Sequence, residues 1–225
     1  PYTKMLISSN GYVTFDTTNA ALYSPWSIGM PIPNPGVEPE NAILVTWQDT
    51  DPSVGGAIYF GSFGTAPNRV YVVTWCAIPM FSASCNNLLY TSQLRLHEGS
   101  NKIEMYLQDK PLCITWNVGA GIQGTVDATS TNFDIVNDPN LPLNPPRNFP
   151  LTWTATNEGW EFIPAGMSAY TINQIPFVPV AAGATTWLDD NGNILGFGSS
   201  INVTPTATTT YYASMQSQCS GTLLD

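Results

Sequence analysis

The chain has 225 residues, enough for one large domain or two smaller ones with a substantial core. Only 10% of the residues are charged, and six Lys and Arg stand against sixteen Asp and Glu, for a net charge of −10. This balance argues against proteins that track nucleic-acid phosphates or anionic lipid headgroups. From this charge balance we predict no nucleic-acid partner. No stretch approaches the roughly 18 consecutive apolar residues of a transmembrane helix, so we also predict no membrane insertion.

Short β-branched and aromatic runs, separated by Gly, Pro and Asn turns, recur along the chain and predict an all-β protein. Asn10-Gly11 is a strong hairpin signal that pairs a strand at 4–9 with one at 12–15. A Pro/Asn-rich loop is expected from about Asn137 to Pro150. Other strands are predicted at Ala42 to Trp47, Ala57 to Phe60, Arg69 to Trp75, around Ile122, at Trp153 and from Trp160 to Phe162.

A second hairpin is predicted where Gly99-Ser100-Asn101 joins a strand at 88–97 to one at 102–107. Side chains alternate between the two faces of a strand. Leu94 and Leu96 are therefore expected to face the core, and Arg95 and His97 to face water.

The composition changes to small residues around Pro164 to Ser168, which divides the chain into a β-sandwich at 1–164 and a second domain at 168–225. The second part has the size of an immunoglobulin-like (Ig-like) domain, which is either truncated or complete in this chain. About four or five strands are predicted in it, at Thr185 to Leu188, Ile194 to Gly196, Ser200 to Val203 and Thr209 to Met215. Both ends of the chain look like cuts from a longer protein.

The most distinctive polar motif is Trp47-Gln48-Asp49-Thr50-Asp51-Pro52-Ser53, where a strand ends in two carboxylates. Calcium prefers such oxygen ligands, so Asp49 and Asp51 are candidate Ca²⁺ ligands. The alternative is turn capping, in which each carboxylate accepts main-chain hydrogen bonds. Arg69 is a candidate partner for this pair of negative charges.

Aromatic side chains could provide a platform for sugar stacking. Four tryptophans lie in apolar strands and are expected in the core: Trp47, Trp75, Trp153 and Trp160. Trp26 lies in a predicted loop and is the candidate ligand-binding residue.

Catalytic constellations are weakly represented. A Ser/His/Asp triad would need His97, the single histidine of the chain, which is expected on the wet face of a strand. Asp49 and Asp51 could serve as a glycosidase acid/base pair, but nothing else in the chain supports that role. We therefore predict no catalytic residues and no enzymatic activity.

The four cysteines are Cys76, Cys85, Cys113 and Cys219, and they lack the spacing of zinc or redox sites. Disulfides are the favoured interpretation, and they persist outside the cytosol, which predicts an extracellular protein. One bridge within the first three cysteines would leave one of them and Cys219 unpaired, joined to each other or bound to another chain.

An ordered series of motifs resembles the large secreted surface proteins of gliding Bacteroidetes, the SprB-like mobile adhesins. The resemblance covers about residues 1–164, and the tail looks like the Ig-like repeat that follows this module in those proteins. The Asn-Gly hairpin and the Trp-x-Asp-x-Asp strand end are also similar to the nidogen-type extracellular domain. The series includes Ile7-Ser8-Ser9-Asn10-Gly11-Tyr12, Tyr23-Ser24-Pro25-Trp26, Asp49-Thr50-Asp51-Pro52-Ser53, Lys110-Pro111-Leu112-Cys113 and Trp153 to Trp160.

This resemblance implies a nidogen-like or jelly-roll β-sandwich followed by the Ig-like unit, with Cys85 and Cys113 as disulfide partners. It implies a cell-surface adhesin whose loops contact a surface polysaccharide or another cell-surface ligand. Secretion would use the type IX machinery through a region outside this chain. A calcium-assisted carbohydrate-binding module attached to a secreted enzyme is the alternative, with Trp26, Asp49 and Asp51 as its site.

Overall fold

The structure, a computed structural model, describes residues 2–18, 20–22, 24–26, 30–32, 39, 41–113, 124–126, 133–166, 169–178, 185–197 and 200–215. The strand predicted around Ile122 and the residue Cys219 lie outside these ranges. Within them the chain forms three antiparallel sheets and no helix, which confirms the all-β prediction.

The first sheet is built from five short strands in the order β1-β2-β3-β8-β9. Its first two strands pair Ser8 with Tyr12 across the Asn10-Gly11 turn, so the predicted hairpin is confirmed. The strands are β1 (Leu6–Ser8), β2 (Tyr12–Thr14), β3 (Ala42–Leu44), β8 (Gly124–Val126) and β9 (Phe133–Ile135).

The second sheet contains six longer strands in the order β11-β10-β7-β6-β5-β4. The predicted hairpin around Gly99 joins β6 to β7 and is confirmed. The strands are β4 (Ala57–Phe63), β5 (Val70–Pro79), β6 (Leu89–His97), β7 (Ile103–Lys110), β10 (Ala155–Pro164) and β11 (Tyr170–Ile175).

The core lies between these two sheets, which makes the first unit a β-sandwich. Val13 and Ile43 of the five-stranded sheet belong to the same buried cluster as Val73, Leu94 and Met105 of the six-stranded sheet. Apolar side chains removed from water on both inner faces supply the main stabilising free energy of such a fold. The four tryptophans expected in the core are all buried: Trp47, Trp75, Trp153 and Trp160.

A three-stranded sheet, in the order β13-β12-β14, follows within the described residues and consists of β12 (Thr185–Leu188), β13 (Ile194–Phe197) and β14 (Tyr212–Met215). The predicted strand at Ser200 to Val203 is wrong, because these residues lie outside the strands. Strand β11 pairs with β10, so the sandwich sheet takes one strand from the range beyond residue 168 that the sequence assigns to the second domain. The division into 1–164 and 168–225, and the Ig-like nature of the second unit, stay predictions.

The outer face of the six-stranded sheet differs from expectation at Arg95. This side chain was predicted to face water, but it is only 4% exposed. It lies 4.4 Å from the centre of the Tyr106 ring and donates a 2.6 Å hydrogen bond from Nε to Gln93 Oε1. An alternating pattern identifies the face on which a side chain lies, but not what covers that face.

Candidate functional site

The site with the most unusual geometry is a loop between β9 and β10, which we call the projecting loop (residues 137–147). Asn137 and Pro146 form an isolated antiparallel bridge at its base, and the Asp138 amide donates to the Pro145 carbonyl over 2.8 Å. The Arg147 amide donates to the Val136 carbonyl over 2.9 Å. Backbone hydrogen bonds thus close the base of the loop and fix its direction.

A buried arginine anchors this base to the sandwich. Arg147 is 0% exposed, and its two terminal nitrogens donate to the two Glu158 carboxylate oxygens over 2.8 and 2.9 Å. Its Nη2 also lies 3.4 Å from Asp138 Oδ1. Arg147, Glu158 and Asp138 are all removed from water, so a charge that loses its partner here would destabilise the fold. The cluster therefore holds the loop only while all three side chains are present.

Two tryptophans enclose this charge cluster. The Arg147 guanidinium lies 4.1 Å from the centre of the Trp153 ring, and the Trp160 indole donates to Glu158 over 3.0 Å. Lys110 is buried on the same Trp153 ring, at 4.5 Å, and donates to the Trp153 carbonyl over 2.7 Å. Burial, together with the nearby Arg147 charge, lowers the pKa of Lys110 to about 7.

The tip of the projecting loop is apolar and open to solvent. Leu143 is 99% exposed and Leu141 is 36% exposed. Leu143 also has a φ of 69°, which costs free energy for a residue with a Cβ. A strained and fully exposed leucine on an anchored loop contributes nothing to the core of this chain, and such a feature is typical of a contact surface.

The segments that carry the residues predicted as a ligand site are joined to each other at the first hairpin. The side chain of Asn10 donates to the Pro25 carbonyl over 3.1 Å and accepts from the Thr50 amide over 3.1 Å. It therefore connects the loop of Trp26 to the segment of Asp49 and Asp51. Trp26 itself is half-buried rather than exposed.

The carboxylates of this segment have different surroundings. Asp51 Oδ1 accepts hydrogen bonds from the Ser53 amide, over 3.0 Å, and from the Ser53 hydroxyl, which is the capping geometry. Asp49 is buried at 8% exposure. In the described ranges no three His, Cys, Asp or Glu side chains are placed to hold a metal ion, and calcium at Asp49 and Asp51 stays a prediction.

The prediction that Arg69 is the partner of Asp49 and Asp51 is wrong. Arg69 pairs with Glu98, with 2.6 Å between Nη2 and Oε1. Arg69 directly precedes β5, and Glu98 directly follows β6. These two strands pair antiparallel, so their pairing brings the two charges together. The hydrogen bond from Arg69 lowers the pKa of Glu98 to about 2.

A disulfide fixes a further loop of the sandwich. Cys85 and Cys113 are bonded, with 5.8 Å between their Cα atoms, which confirms the predicted pair. Both are buried and cluster with Met80, while Leu88 packs beside them. Cys76 is also disulfide-bonded, and its partner lies outside the described residues.

The outer face of the six-stranded sheet carries a charged group that is sensitive to acid. Glu104 lies 3.2 Å from His97 Nε2 and 2.6 Å from Lys102 Nζ. Burial by itself would raise the pKa of Glu104, but the close contact with His97 and the hydrogen bond from Lys102 outweigh it and lower the pKa to about 2.

The protein should therefore lose stability as the pH falls from the ordinary glutamate pKa, near 4.5, towards 2. A depressed pKa means that the unfolded chain takes up the proton first, so the contribution of Glu104 is present above this range and lost within it. In the Glu104→Gln variant the urea midpoint should change less with pH across the same interval. Equal slopes for the variant and the unmodified protein would contradict this assignment.

A family model described as NIDO related matches residues 1–164, which include both sheets of the sandwich except β11. The chain belongs to the NIDO-related family. A search of curated proteins and a search of solved structures each found no significant match.

Membership in the NIDO-related family and the Cys85–Cys113 disulfide together indicate an extracellular protein module. The described residues include no helix with the length and hydrophobicity needed to cross a bilayer. The family thus shows a nidogen-related module, and the fold shows that it is a β-sandwich.

Sequence reasoning missed the two most buried charged residues described in this NIDO-related module. Lys110 appeared only within a family motif, and Arg147 only within a Pro/Asn-rich loop. A signal was nevertheless present. A chain with six Lys and Arg places at least three of them, Arg95, Lys110 and Arg147, in its interior, so each cation in a charge-poor sequence merits attention.

Proposed function

We propose that this NIDO-related module is a non-enzymatic part of a large secreted cell-surface adhesin of a gliding bacterium, and that it mediates attachment or motility through its displayed loops. The observation that carries the proposal is the tip of the projecting loop, where Leu143 is 99% exposed on a base held by buried Arg147. Burying a leucine on binding contributes about 1.5–3 kcal/mol.

A rigid base makes such a tip effective in binding. Because the loop is already ordered by the Asp138 and Arg147 hydrogen bonds, little conformational entropy remains to be lost when a partner is bound. Modules strung along one long protein then multiply weak contacts through their effective concentration. The proposed ligand is a surface polysaccharide or another cell-surface group, and export would use the type IX machinery through a region outside this chain.

The same proposal includes that this module has no catalytic activity. His97 contacts Glu104, and the buried carboxylates Asp138 and Glu158 are bound to Arg147. These groups are engaged with charged partners within the fold, so they support stability in preference to proton transfer to a substrate.

Replacing Leu143 with serine in the parent protein should weaken a single contact about tenfold or more, because the burial of one leucine is lost. The measurement counts cells that remain attached to a coated surface under flow. Three strains are compared: the unmodified strain, a clean deletion of the parent gene, and a strain with Leu143→Ser. Attachment should fall in the latter two.

Leu195→Ser is the matched control, since Leu195 is an exposed leucine on β13, outside the projecting loop, at 42% exposure. It should leave attachment unchanged. Normal attachment and spreading in the deletion strain would reject the adhesin function. Normal attachment in the Leu143→Ser strain alone would reject the loop as the contact.

A second candidate function is a calcium-assisted carbohydrate-binding module attached to a secreted enzyme. It is favoured by the Asn10 side chain, which holds the loop of Trp26 next to the segment of Asp49 and Asp51. Glycan-array binding that is abolished both by a chelator and by Trp26→Ala would favour this function over adhesion.

A further inference from the structure

Strand β4 forms one edge of the six-stranded sheet. It pairs with β5 in continuous register from Ala57 opposite Cys76 to Phe63 opposite Val70, without a bulge. Among the described residues, β4 has no second strand partner, and its outward backbone groups have no hydrogen-bond partner. Towards the rest of the described chain, an edge of seven residues thus presents amide and carbonyl groups that no described residue binds.

This edge lacks the usual features that prevent pairing with another strand. Sheet edges are ordinarily protected by charged residues, proline or bulges. The segment Ala57-Ile58-Tyr59-Phe60-Gly61-Ser62-Phe63 contains no charged residue and no proline. At its centre Phe60 is 59% exposed, with its ring 6.5 Å from that of Tyr71.

The residues of β4 are complementary to a second copy of the same strand. If two copies run antiparallel and pair about Phe60, Tyr59 lies opposite Gly61 of the other copy and Ala57 lies opposite Phe63. Ile58 then lies opposite Ser62. On either side of the centre each large side chain faces a smaller one, and the Tyr59 ring covers an edge glycine. The two Phe60 rings meet at the centre.

Local charge permits this occupant at the β4 edge, although net charge opposes contact between two copies elsewhere. The chain carries a net charge of −10, so two copies repel each other over most of their surfaces. The β4 edge has no charge of its own, and a pair of copies places no like charges opposite each other across it. A symmetric strand pair would also form about six to eight backbone hydrogen bonds, depending on which residues point outward.

We propose that β4 is a homotypic interface, at which two copies of this chain join their six-stranded sheets edge to edge with Phe60 opposite Phe60. The contact is isologous, so it closes on itself and gives a dimer instead of a filament. This inference does not depend on the adhesin function, because it concerns the edge strand and not the projecting loop.

The test is a charge exchange at the central position. The unmodified protein should dimerise reversibly with concentration in sedimentation equilibrium. Phe60→Glu and Phe60→Lys should each weaken the dimer about tenfold or more, since each places two like charges opposite each other. An equal mixture of the two variants should restore the dimer, because unlike charges then meet.

Thr171→Glu and Thr171→Lys are the matched controls, since Thr171 is an exposed residue of β11, at the opposite edge of the same sheet. They should leave the dimer unchanged. In the unmodified protein, hydrogen exchange of residues 57–63 should slow as the concentration rises, whereas that of residues 170–175 should not. This second measurement needs no variant to fold.

A protein that stays monomeric at all concentrations would overturn the proposal. So would a dimer in which exchange at residues 57–63 is unchanged, or one that survives both Phe60 substitutions. A mixture of the Phe60→Glu and Phe60→Lys variants that fails to dimerise would overturn the symmetric register.

Discussion

Replacing Arg147 with alanine is expected to lower the free energy of unfolding by about 3–5 kcal/mol. Arg147 is 0% exposed and neutralises Glu158, with a further contact to Asp138. Its removal leaves two buried carboxylates without their cation, and the uncompensated charges account for most of the loss. Urea denaturation followed by tryptophan fluorescence measures the change, because Trp153 and Trp160 adjoin the cluster.

The matched control is Arg69→Ala. Arg69 forms a similar ion pair with Glu98, but the two side chains are 53% and 34% exposed, and water screens their charges. We expect a much smaller loss there. Equal losses for the two arginines would show that burial of the Arg147 pair does not determine its contribution.

A double-mutant cycle separates the pair from its surroundings. Glu158→Ala removes the carboxylate that Arg147 holds, and the double variant removes both charges. If the ion pair dominates, the double variant should be less destabilised than the sum of the two single variants. Additive losses would assign the effect to lost packing on Trp153 instead.

Removing the Cys85–Cys113 disulfide by changing both residues to alanine should cost about 2–4 kcal/mol. The bridge closes a loop with a sequence separation of 28 residues, and it restricts the unfolded chain more than the folded one. The same urea measurement tests this. Substitution is preferable to a reductant, because Cys76 is also disulfide-bonded and would be reduced at the same time.

The location of the loss can be checked in the same variant. Met80 and Leu88 pack against the buried bridge, so hydrogen exchange should accelerate first between residues 81 and 88. The projecting loop has a separate anchor at Arg147 and should keep its exchange rates. An unchanged urea midpoint would remove the disulfide from the list of stabilising contacts.

The two hairpins could be predicted from sequence because their causes are local. Asn10-Gly11 has residues that tolerate a positive φ, and Gly11 adopts 76°. A Cβ at this position would also lie 3.1 Å from the Tyr90 hydroxyl and closer still to Thr46 Oγ1, so the glycine is needed for close packing as well. Alternation in β6 correctly placed Leu94 in the core.

The candidate site could be predicted only in part. The motifs identified Trp26, Asp49 and Asp51 as candidates, which stay a prediction, but nothing local reveals that Asn10 joins their two segments. Local pattern also failed at Arg95. Its place in the alternation predicts a solvent-facing side chain, but residues distant in sequence cover it and it is 4% exposed.

By itself the sequence determined the all-β class, both hairpins and the extracellular character, because turn residues, alternation and cysteine content act over short distances or through composition alone. Only the tertiary structure decided which charges became interior. Arg147 meets Glu158 across eleven residues, and Lys110 meets Trp153 across 43. Their burial depends on strand order and on the path of the projecting loop, and these arise from packing of the whole sandwich.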